Sequence, residues 1–198
     1  TNEICFPAGI LQAPFFDPAA DDAANYGAIG VVIGHEMTHG FDDQGSQFDK
    51  DGNLRNWWTP QDKANFKART QRMIRFFDGI EVLPGLHCNG ALTCGENIAD
   101  HGGLKVAYQA FRNATSSRPL ADFGGFTPDQ RFFISYGQIW ANNIRPEALR
   151  NQVKTDPHAP ARWRVNGALP QIEAWYKAFG IKKGDKLFVP KNKRVDIW

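Results

Sequence analysis

Apolar residues recur along this chain at helical spacing, and the densest run lies between Asp21 and Gly40. Within this run apolar side chains cover almost every direction around a helix, which is typical of a buried helix. Acidic residues suit its N-terminus, and a glycine marks its end. The apolar members are Ala23, Ala24, Ile29, Val31, Val32, Ile33, Met37 and Phe41. Glycines are poor helix formers, so we expect another element to pack closely against the three in this run, which are Gly27, Gly30 and Gly34.

Further segments show a single apolar face, which predicts amphipathic helices. Two of them begin with a threonine cap followed by proline at the first helical position, at Thr59 and Thr127. The last one ends at Gly180. The apolar faces consist of Phe66, Met73, Ile74 and Phe77, then Leu104, Ala107, Tyr108 and Phe111, then Phe132, Phe133, Tyr136, Ile139 and Trp140, and finally Ile172, Trp175, Tyr176 and Phe179. The pattern is therefore mainly helical, with long connecting loops.

Two stretches are predicted to be irregular. Residues 1–18 contain three prolines, which favour a short extended segment over a long helix. Residues 49–53 look like the start of a calcium loop, but Leu54 and Pro60 stand where that loop requires glycine and glutamate. We therefore predict a turn there.

Composition is that of an ordinary globular protein, with 42% hydrophobic and 22% charged residues among 198. This length can bury a substantial core in one large or two small domains. A net charge of +2 gives no argument for nucleic-acid binding. No apolar run reaches transmembrane length, and no signal peptide is evident. Because the chain begins at Thr1 rather than methionine, we expect it to be part of a longer protein.

The three cysteines are too few for a disulfide framework. They are Cys5, Cys88 and Cys94. Cys88 and Cys94 are close enough in sequence to close a small loop, and the alternative is that all three are free thiols.

The candidate chemistry begins with His35-Glu36-Met37-Thr38-His39, an H-E-x-x-H arrangement. On a helix the two histidines lie on one face about a turn apart, so both imidazoles can bind one metal ion. Glu36 lies at the edge of that site, where a carboxylate can reach a water molecule rather than the metal. Burying these polar groups without a partner would be costly, which favours a metal. The alternative is two core histidines that have this spacing by chance.

A second polar stretch runs from Cys94 to Gly103 and opens a predicted helix. Glu96 and Asp100 are four residues apart, so they share a helix face. Glutamate is a normal third ligand of a catalytic zinc site that leaves one position for water. Asp100 is placed to accept the ring N–H of a ligand histidine and so fix its tautomer. The alternative is a helix N-terminus that favours acidic residues, which explains Glu96 but not Asp100.

Other zinc-peptidase patterns do not fit. The metzincin pattern requires glycine and histidine where the chain has Asp42 and Gly45. Thermolysin-like and aminopeptidase patterns place the ligand glutamate near Trp57, whereas here Glu96 follows His39 by 57 residues.

Together with three further strings, these stretches resemble the neprilysin and endothelin-converting-enzyme family of zinc metallopeptidases, in its bacterial oligopeptidase form. The matching strings span nearly the whole chain. They are Phe-Pro-Ala-Gly-Ile-Leu-Gln at 6–12, Ile-Gly-His-Glu-Met-Thr-His-Gly-Phe-Asp-Asp at 33–43, Asp-Gly-Asn-Leu-Arg-Asn-Trp-Trp at 51–58, Gly-Glu-Asn-Ile-Ala-Asp-His-Gly-Gly at 95–103 and Lys-Thr-Asp-Pro-His-Ala-Pro at 154–160.

The resemblance implies one zinc ion per chain, held by three ligands, with a general base and a carboxylate behind the ligands. These residues are His35, His39 and Glu96, then Glu36, then Asp100. It also implies that His158 stabilises the tetrahedral intermediate and that Arg164 binds a substrate carbonyl or C-terminal carboxylate, with Arg162 as the neighbouring alternative. The residues that match the pocket for the residue after the scissile bond are Ile10, Phe15, Val31, Val32, Ile139 and Trp140.

The resemblance further implies a mainly α fold, a thermolysin-like (gluzincin) catalytic domain with short β pieces and long loops, over residues 1–198. Trp198 matches the family's C-terminal tryptophan, but Val195 replaces a cysteine of animal members, which indicates a bacterial-type enzyme. The family's substrate-pairing segment and covering helical lobe would lie upstream of Thr1.

These features set the expected partners and location. We expect the chain to contact oligopeptide substrates and either the missing N-terminal lobe of its own polypeptide or a second copy through the cleft face. Contact with nucleic acid or membrane is not expected. An extracytoplasmic location, in the periplasm or at the cell surface of a bacterium, is expected, with the cytoplasm left open.

The function implied is a zinc-dependent endopeptidase that cleaves oligopeptides before a hydrophobic residue. Two alternatives remain. One is a catalytically weak zinc-binding fragment that needs the missing lobe. The other is an exopeptidase that anchors a terminal carboxylate through Arg164.

Overall fold

The computed structural model describes residues 2–198, and α-helices carry most of its regular structure. The helices are α1 (Asp22–Asn25), α2 (Val31–Thr38), α3 (Pro60–Asp78), α4 (Cys94–Thr115), α5 (Pro128–Ile139), α6 (Pro146–Thr155), α7 (Ala161–Ala168) and α8 (Glu173–Phe179). One antiparallel hairpin joins β1 (Glu81–Leu83) and β2 (Leu86–His87). A mainly α architecture with a short β piece is therefore confirmed. None of the helices described is both long and apolar enough to cross a bilayer.

The helical path predicted from Asp21 to Gly40 is confirmed. Helix α1 continues through a π-helical turn, Tyr26–Gly30, into α2, and a 3-10 turn, His39–Phe41, ends the path. The Asp21 side chain caps its start by accepting a hydrogen bond from the Ala24 N–H.

The prediction that this helix is buried on all sides is wrong. Ile33, Met37 and Phe41 are 40%, 57% and 51% exposed. These residues are four apart and so form one row along the helix, a row that neighbouring elements leave open. The other faces of the path contact α4 and α5.

The predicted helix boundaries follow their capping signals. Thr59 accepts a hydrogen bond from the Asp62 N–H, and Thr127 forms a reciprocal capping box with Gln130. Gly180 ends α8 in the left-handed conformation at φ 63°. The stretch at 49–53 is the predicted turn, in which the Asp49 carboxylate accepts two backbone N–H bonds.

Two helices for which the sequence pattern gave no prediction, α6 and α7, lie between α5 and α8. Each buries few apolar residues: Val153 is the buried member of α6, and α7 buries Arg164, Gly167 and Ala168. So few buried apolar positions do not repeat often enough to establish a helical period.

Two apolar clusters form the core, and α4 contributes to both. The first lies among α1, α4, α5 and α8 and includes Phe111, Phe132, Tyr136 and Trp175. The second joins α3 and the start of α4 to the C-terminal tail, where Val195 and Ile197 are each 1% exposed. The long helix α4 is thereby fixed on both sides, which holds its polar N-terminal turns in place.

All three cysteines are free, so the disulfide alternative does not apply. Cys88 and Cys94 are buried, and burial raises the pKa of their thiols to about 11 and about 12. Thiols with such pKa values are poor nucleophiles at neutral pH.

Candidate metal and catalytic site

Three side chains from α2, the 3-10 turn after it and α4 converge on one point. Donor atoms of His35, His39 and Glu96 all lie within 4.8 Å of one another. The Nε2 atoms of the two histidines are 3.0 Å apart, and a Glu96 oxygen lies 3.2 Å from His35 Nε2. The structure thus brings together the three ligands predicted from sequence, two nitrogens and one carboxylate, which is a donor set typical of catalytic zinc.

Each histidine of the cluster has a carboxylate behind it. His35 Nδ1 lies 2.8 Å from the buried Asp100, and His39 Nδ1 lies 2.7 Å from Asp42. Each carboxylate can accept the Nδ1–H, which leaves Nε2 free to bind a metal. The position of Asp100 agrees with the prediction, whereas Asp42 was missed. Its place in the sequence is three residues after His39, just past the 3-10 turn that ends the helical path.

Arg164 binds the Asp100 carboxylate, which contacts the Nδ1 atom of His35 rather than the Nε2 atom that faces the other ligands. Its Nε and Nη2 donate to the two Asp100 oxygens at 2.8 and 2.6 Å, and its guanidinium lies 3.8 Å from the centre of the Trp140 ring. Burial would raise the pKa of Asp100, but the Arg164 charge and the His35 hydrogen bond outweigh burial and lower it. Arg162 is exposed and stacks on Trp163, so of the two arginines Arg164 is the one at the site.

His158 reaches the cluster from the loop between α6 and α7. Its Nε2 lies 3.2 Å from Glu96 Oε2, and its Nδ1 lies 2.7 Å from Asp156. Asp156 also accepts the backbone N–H of His158, so this carboxylate fixes both the ring and the loop. The neighbouring Glu96 carboxylate raises the pKa of His158 above its ordinary value, against a smaller opposing effect of burial. Asp156 was not predicted, although it stands two residues before the histidine.

Glu36 lines a cavity of about 770 Å³ that the ligand candidate His39 also lines. Its side chain is exposed. A carboxylate beside the cluster but outside it is available to accept a proton from a water molecule there.

The six residues predicted to line the pocket for the residue after the scissile bond differ in their solvent exposure. Val31 and Ile139 are buried in the first core cluster, at 2% and 9% exposure. Phe15, Val32 and Trp140 are partly buried against that cluster, and Ile10 is half-buried outside it. The partly buried members can offer an apolar wall, while Val31 and Ile139 support that wall from behind.

The charges of the cluster fit a cation. Glu96 Oε2 is buried without a hydrogen-bond partner of good geometry among the described residues. Burial would raise the pKa of Glu96, yet the His158 and His35 imidazoles outweigh it and hold that pKa far below its usual range. Burial would lower the pKa of His35, but Asp100 and Glu96 raise it to about 9. A carboxylate and imidazoles that share protons are positions where a metal ion can replace those protons.

Close contact between α2 and α4 sets the distance between the ligands. A Cβ on Gly103 would lie 2.7 Å from the His35 backbone N and 2.7 Å from the Val31 O, and one on Gly34 would lie 3.0 Å from Gly103 Cα. The expected close packing is confirmed for Gly34, and also for Gly27, whose Cβ would clash with the Phe132 backbone. It is wrong for Gly30, where a Cβ would make only ordinary contacts.

We therefore expect Gly103→Ala to push α4 away from α2 and pull Glu96 from the histidines. Overpacking of this kind costs roughly 1–3 kcal/mol of stability. Urea unfolding and zinc titration measure the two effects. Gly9→Ala is the control, because nothing lies within 4 Å of a Cβ at Gly9. Equal stability and equal zinc affinity in the two variants would contradict the account of this contact.

Comparison with known proteins gives a consistent result. The model of "Peptidase family M13" matches residues 1–195. Endothelin-converting enzyme 1 of Rattus norvegicus is 43% identical over 200 residues, covering 100% of this chain and 26% of that protein. Human neprilysin is 42% identical over 202 residues, covering 100% of this chain and 27% of that protein.

Solved structures agree. A crystal structure of Mycobacterium tuberculosis zinc metalloprotease Zmp1 with an inhibitor has a TM-score of 0.95 at 45% identity, and covers 98% of this chain and 30% of that one. PepO from Lactobacillus rhamnosis has a TM-score of 0.87 at 40% identity, covering 98% of this chain and 29% of that one. The chain therefore spans about a quarter to a third of the length of the proteins it resembles.

Proposed function

Because the chain belongs to peptidase family M13, we propose that the protein containing it is a zinc-dependent endopeptidase of oligopeptides. Membership confirms the resemblance to neprilysin and endothelin-converting enzyme inferred from sequence. The similarity to zinc metalloproteases of known structure likewise confirms the thermolysin-like fold class. The observation that carries the proposal is the convergence of His35, His39 and Glu96 beside the free carboxylate of Glu36.

His35, His39 and Glu96 would hold the zinc ion, one per chain, oriented by Asp100 and Asp42. Bound there, zinc supplies Lewis-acid polarisation of the scissile carbonyl and acidifies a water molecule. The two imidazoles and one carboxylate would supply three donors of the kind found in catalytic zinc sites.

Glu36 accepts the proton of the attacking water and later delivers it to the leaving amine. Its exposure to the cavity lets it serve both tasks without moving a buried charge. His158 supplies an N–H to the developing oxyanion, an interaction typically worth about 3 kcal/mol.

Arg164 acts mainly by holding Asp100, and through it His35. Two of its nitrogens are committed to that carboxylate and its side chain is 8% exposed, so it gives little support to the exopeptidase alternative. Phe15, Val32 and Trp140 offer the apolar wall for the residue after the scissile bond. The contact with an upstream lobe, or with a second copy, and the extracytoplasmic location remain predictions from the resemblance.

Mapping of cleavage products by mass spectrometry tests the proposal. We expect the whole protein to cut oligopeptides at internal bonds before hydrophobic residues, to lose this activity with a zinc chelator and to regain it with added zinc. Release of single terminal residues, or cleavage that survives complete zinc removal, would contradict the proposal. The isolated chain, if it binds zinc yet turns over far more slowly, would fit the fragment alternative.

A further inference from the structure

A buried histidine on α4 has no part in the mechanism proposed above. His101 is 1% exposed, and neither of its ring nitrogens has a hydrogen-bond partner among the described residues. A neutral imidazole carries one donor and one acceptor, and burying these groups without partners is costly. A protein that keeps a polar side chain in this state needs a reason for it.

His101 lies on the face of α4 that the C-terminal tail, residues 194–198, covers. Ile98, three residues before His101, belongs to the second core cluster together with two apolar residues of the tail. Lys105, four residues after it, pairs with Asp196 of the tail at 2.7 Å. Residues at these spacings share one helix face, so the tail passes over the imidazole.

The carboxylates beside His101 are already engaged. Asp196 is paired with Lys105, and Asp100, the preceding residue on α4, accepts hydrogen bonds from Arg164. A protonated His101 would therefore be a buried cation without a free carboxylate to pair with, which is strongly unfavourable.

The other charged groups that reach this region are cations. From α3, Arg69 and Arg72 donate to backbone carbonyls of the tail. Burial and, after it, the charge of Lys105 lower the pKa of His101 from 6.5 to about 4, against a smaller opposite effect of Asp196. His101 is thus neutral beneath the closed tail, whereas in water its pKa returns to the ordinary value.

The tail is the covering element that can open most easily. It contains no helix or strand of its own. Side chains of other elements hold it: Val195 N–H donates to Gln171 Oε1 at 2.8 Å, and Arg194 pairs with Glu173 at 2.6 Å. Segments without regular backbone hydrogen bonding open at a lower free energy than core helices.

We propose that His101 makes the seating of the tail sensitive to pH, so that the tail closes over a neutral imidazole and is released when the imidazole is protonated in mildly acidic surroundings. Release uncovers Val195, Ile197 and one side of the start of α4, the part of the helix that carries Glu96. The inference goes beyond the peptidase function and does not depend on it.

The direction of the effect follows from the two pKa values of His101. Below about pH 6.5 the open state binds a proton that the closed state does not bind until about pH 4. Opening is therefore favoured progressively as the pH falls through this window, by up to about tenfold for each pH unit, and the effect is absent above it.

Hydrogen exchange on the whole protein, followed by mass spectrometry, tests the proposal. The reporter is the peptide that contains Val195, whose N–H is bonded to Gln171. Its protection is the exchange rate of an unstructured peptide divided by the measured rate at the same pH. In His101→Leu the tail covers a side chain that cannot be protonated. The protection of the variant relative to the wild type should therefore rise roughly five- to tenfold as the pH falls from about 6 to about 5.

His87→Leu is the matched control, because His87 is exposed on β2, and it should match the wild type at each pH. His101→Asn is a second non-titrating variant and takes the place of His101→Leu if that variant does not fold. A protection ratio that stays constant between pH 7 and pH 5 overturns the inference. An equal loss of protection in peptides of α5 also overturns it, because the whole domain would then be opening. Neither readout involves peptide cleavage, so failure here leaves the proposed function standing.

Discussion

Glu36→Gln is expected to abolish nearly all peptide hydrolysis while zinc binding stays unchanged. The amide keeps the shape of the side chain but cannot accept the proton of the attacking water. General-base catalysis typically contributes 10²–10⁴-fold, so we expect kcat to fall by roughly that factor or more. Because Glu36 makes none of the contacts within the ligand cluster, zinc content should match the wild type.

Steady-state kinetics and metal analysis on the whole protein measure both quantities. Glu147→Gln makes the same chemical change at an exposed position in the first turn of α6, far along the chain from the site. It should leave both quantities unchanged. If Glu36→Gln retained kcat within tenfold of the wild type, another group would have to be the base.

Glu96→Ala is expected to remove zinc binding at neutral pH. The substitution deletes one of three ligands and the only anionic one, and leaves two histidines that bind a metal weakly. Loss of groups that merely orient ligands costs about 10–100-fold in affinity, so loss of a ligand should exceed that. Hydrolysis should be lost with the metal.

Zinc titration by competition with a chelating dye gives the affinity. Glu147→Ala again controls for removal of a carboxylate from a helical first turn. The Glu96 carboxylate contributes to the raised pKa values of His35 and His158, so its removal also changes those two pKa values. The zinc affinity is therefore measured at more than one pH. Zinc affinity equal to that of the wild type at each pH would exclude Glu96 as a ligand.

Helix geometry alone predicts two pairings in the site, that of His35 with His39 and that of Glu96 with Asp100, whereas His158, Arg164 and the pocket residues were predicted only from the family resemblance. Two histidines four apart on a helix face the same way, and so do Glu96 and Asp100 on α4. What sequence could not supply was the distance between the two helices. Glycines at the contact provide it, and their role is visible only once Gly34 and Gly103 are seen to meet.

The carboxylates that orient His39 and His158 escaped prediction for a different reason. Asp42 and Asp156 each lie within three residues of their histidine, but beyond a helix end, where no fixed periodicity applies. The 3-10 turn after α2 and the backbone bond to Asp156 create the contacts. Asp and Asn near chain reversals commonly bond to backbone groups instead.

The exposure of the α2 row was misjudged because apolar composition does not tell what covers a surface. Ile33, Met37 and Phe41 read as core in sequence, yet they face an open side of the described chain. Arg164 shows the converse. This charged side chain is buried, at 7% exposure, and donates to both Asp100 oxygens, while its role in binding substrate stays a prediction.

The central claim is that one metal ion is bound jointly by His35, His39 and Glu96. Anomalous diffraction from crystals of the zinc-loaded protein, recorded on both sides of the zinc absorption edge, tests it most directly. The account predicts one peak per chain, within about 2.0–2.2 Å of the Nε2 atoms of both histidines and of a Glu96 oxygen. A zinc peak elsewhere, or one at the histidines with Glu96 turned away, would contradict it.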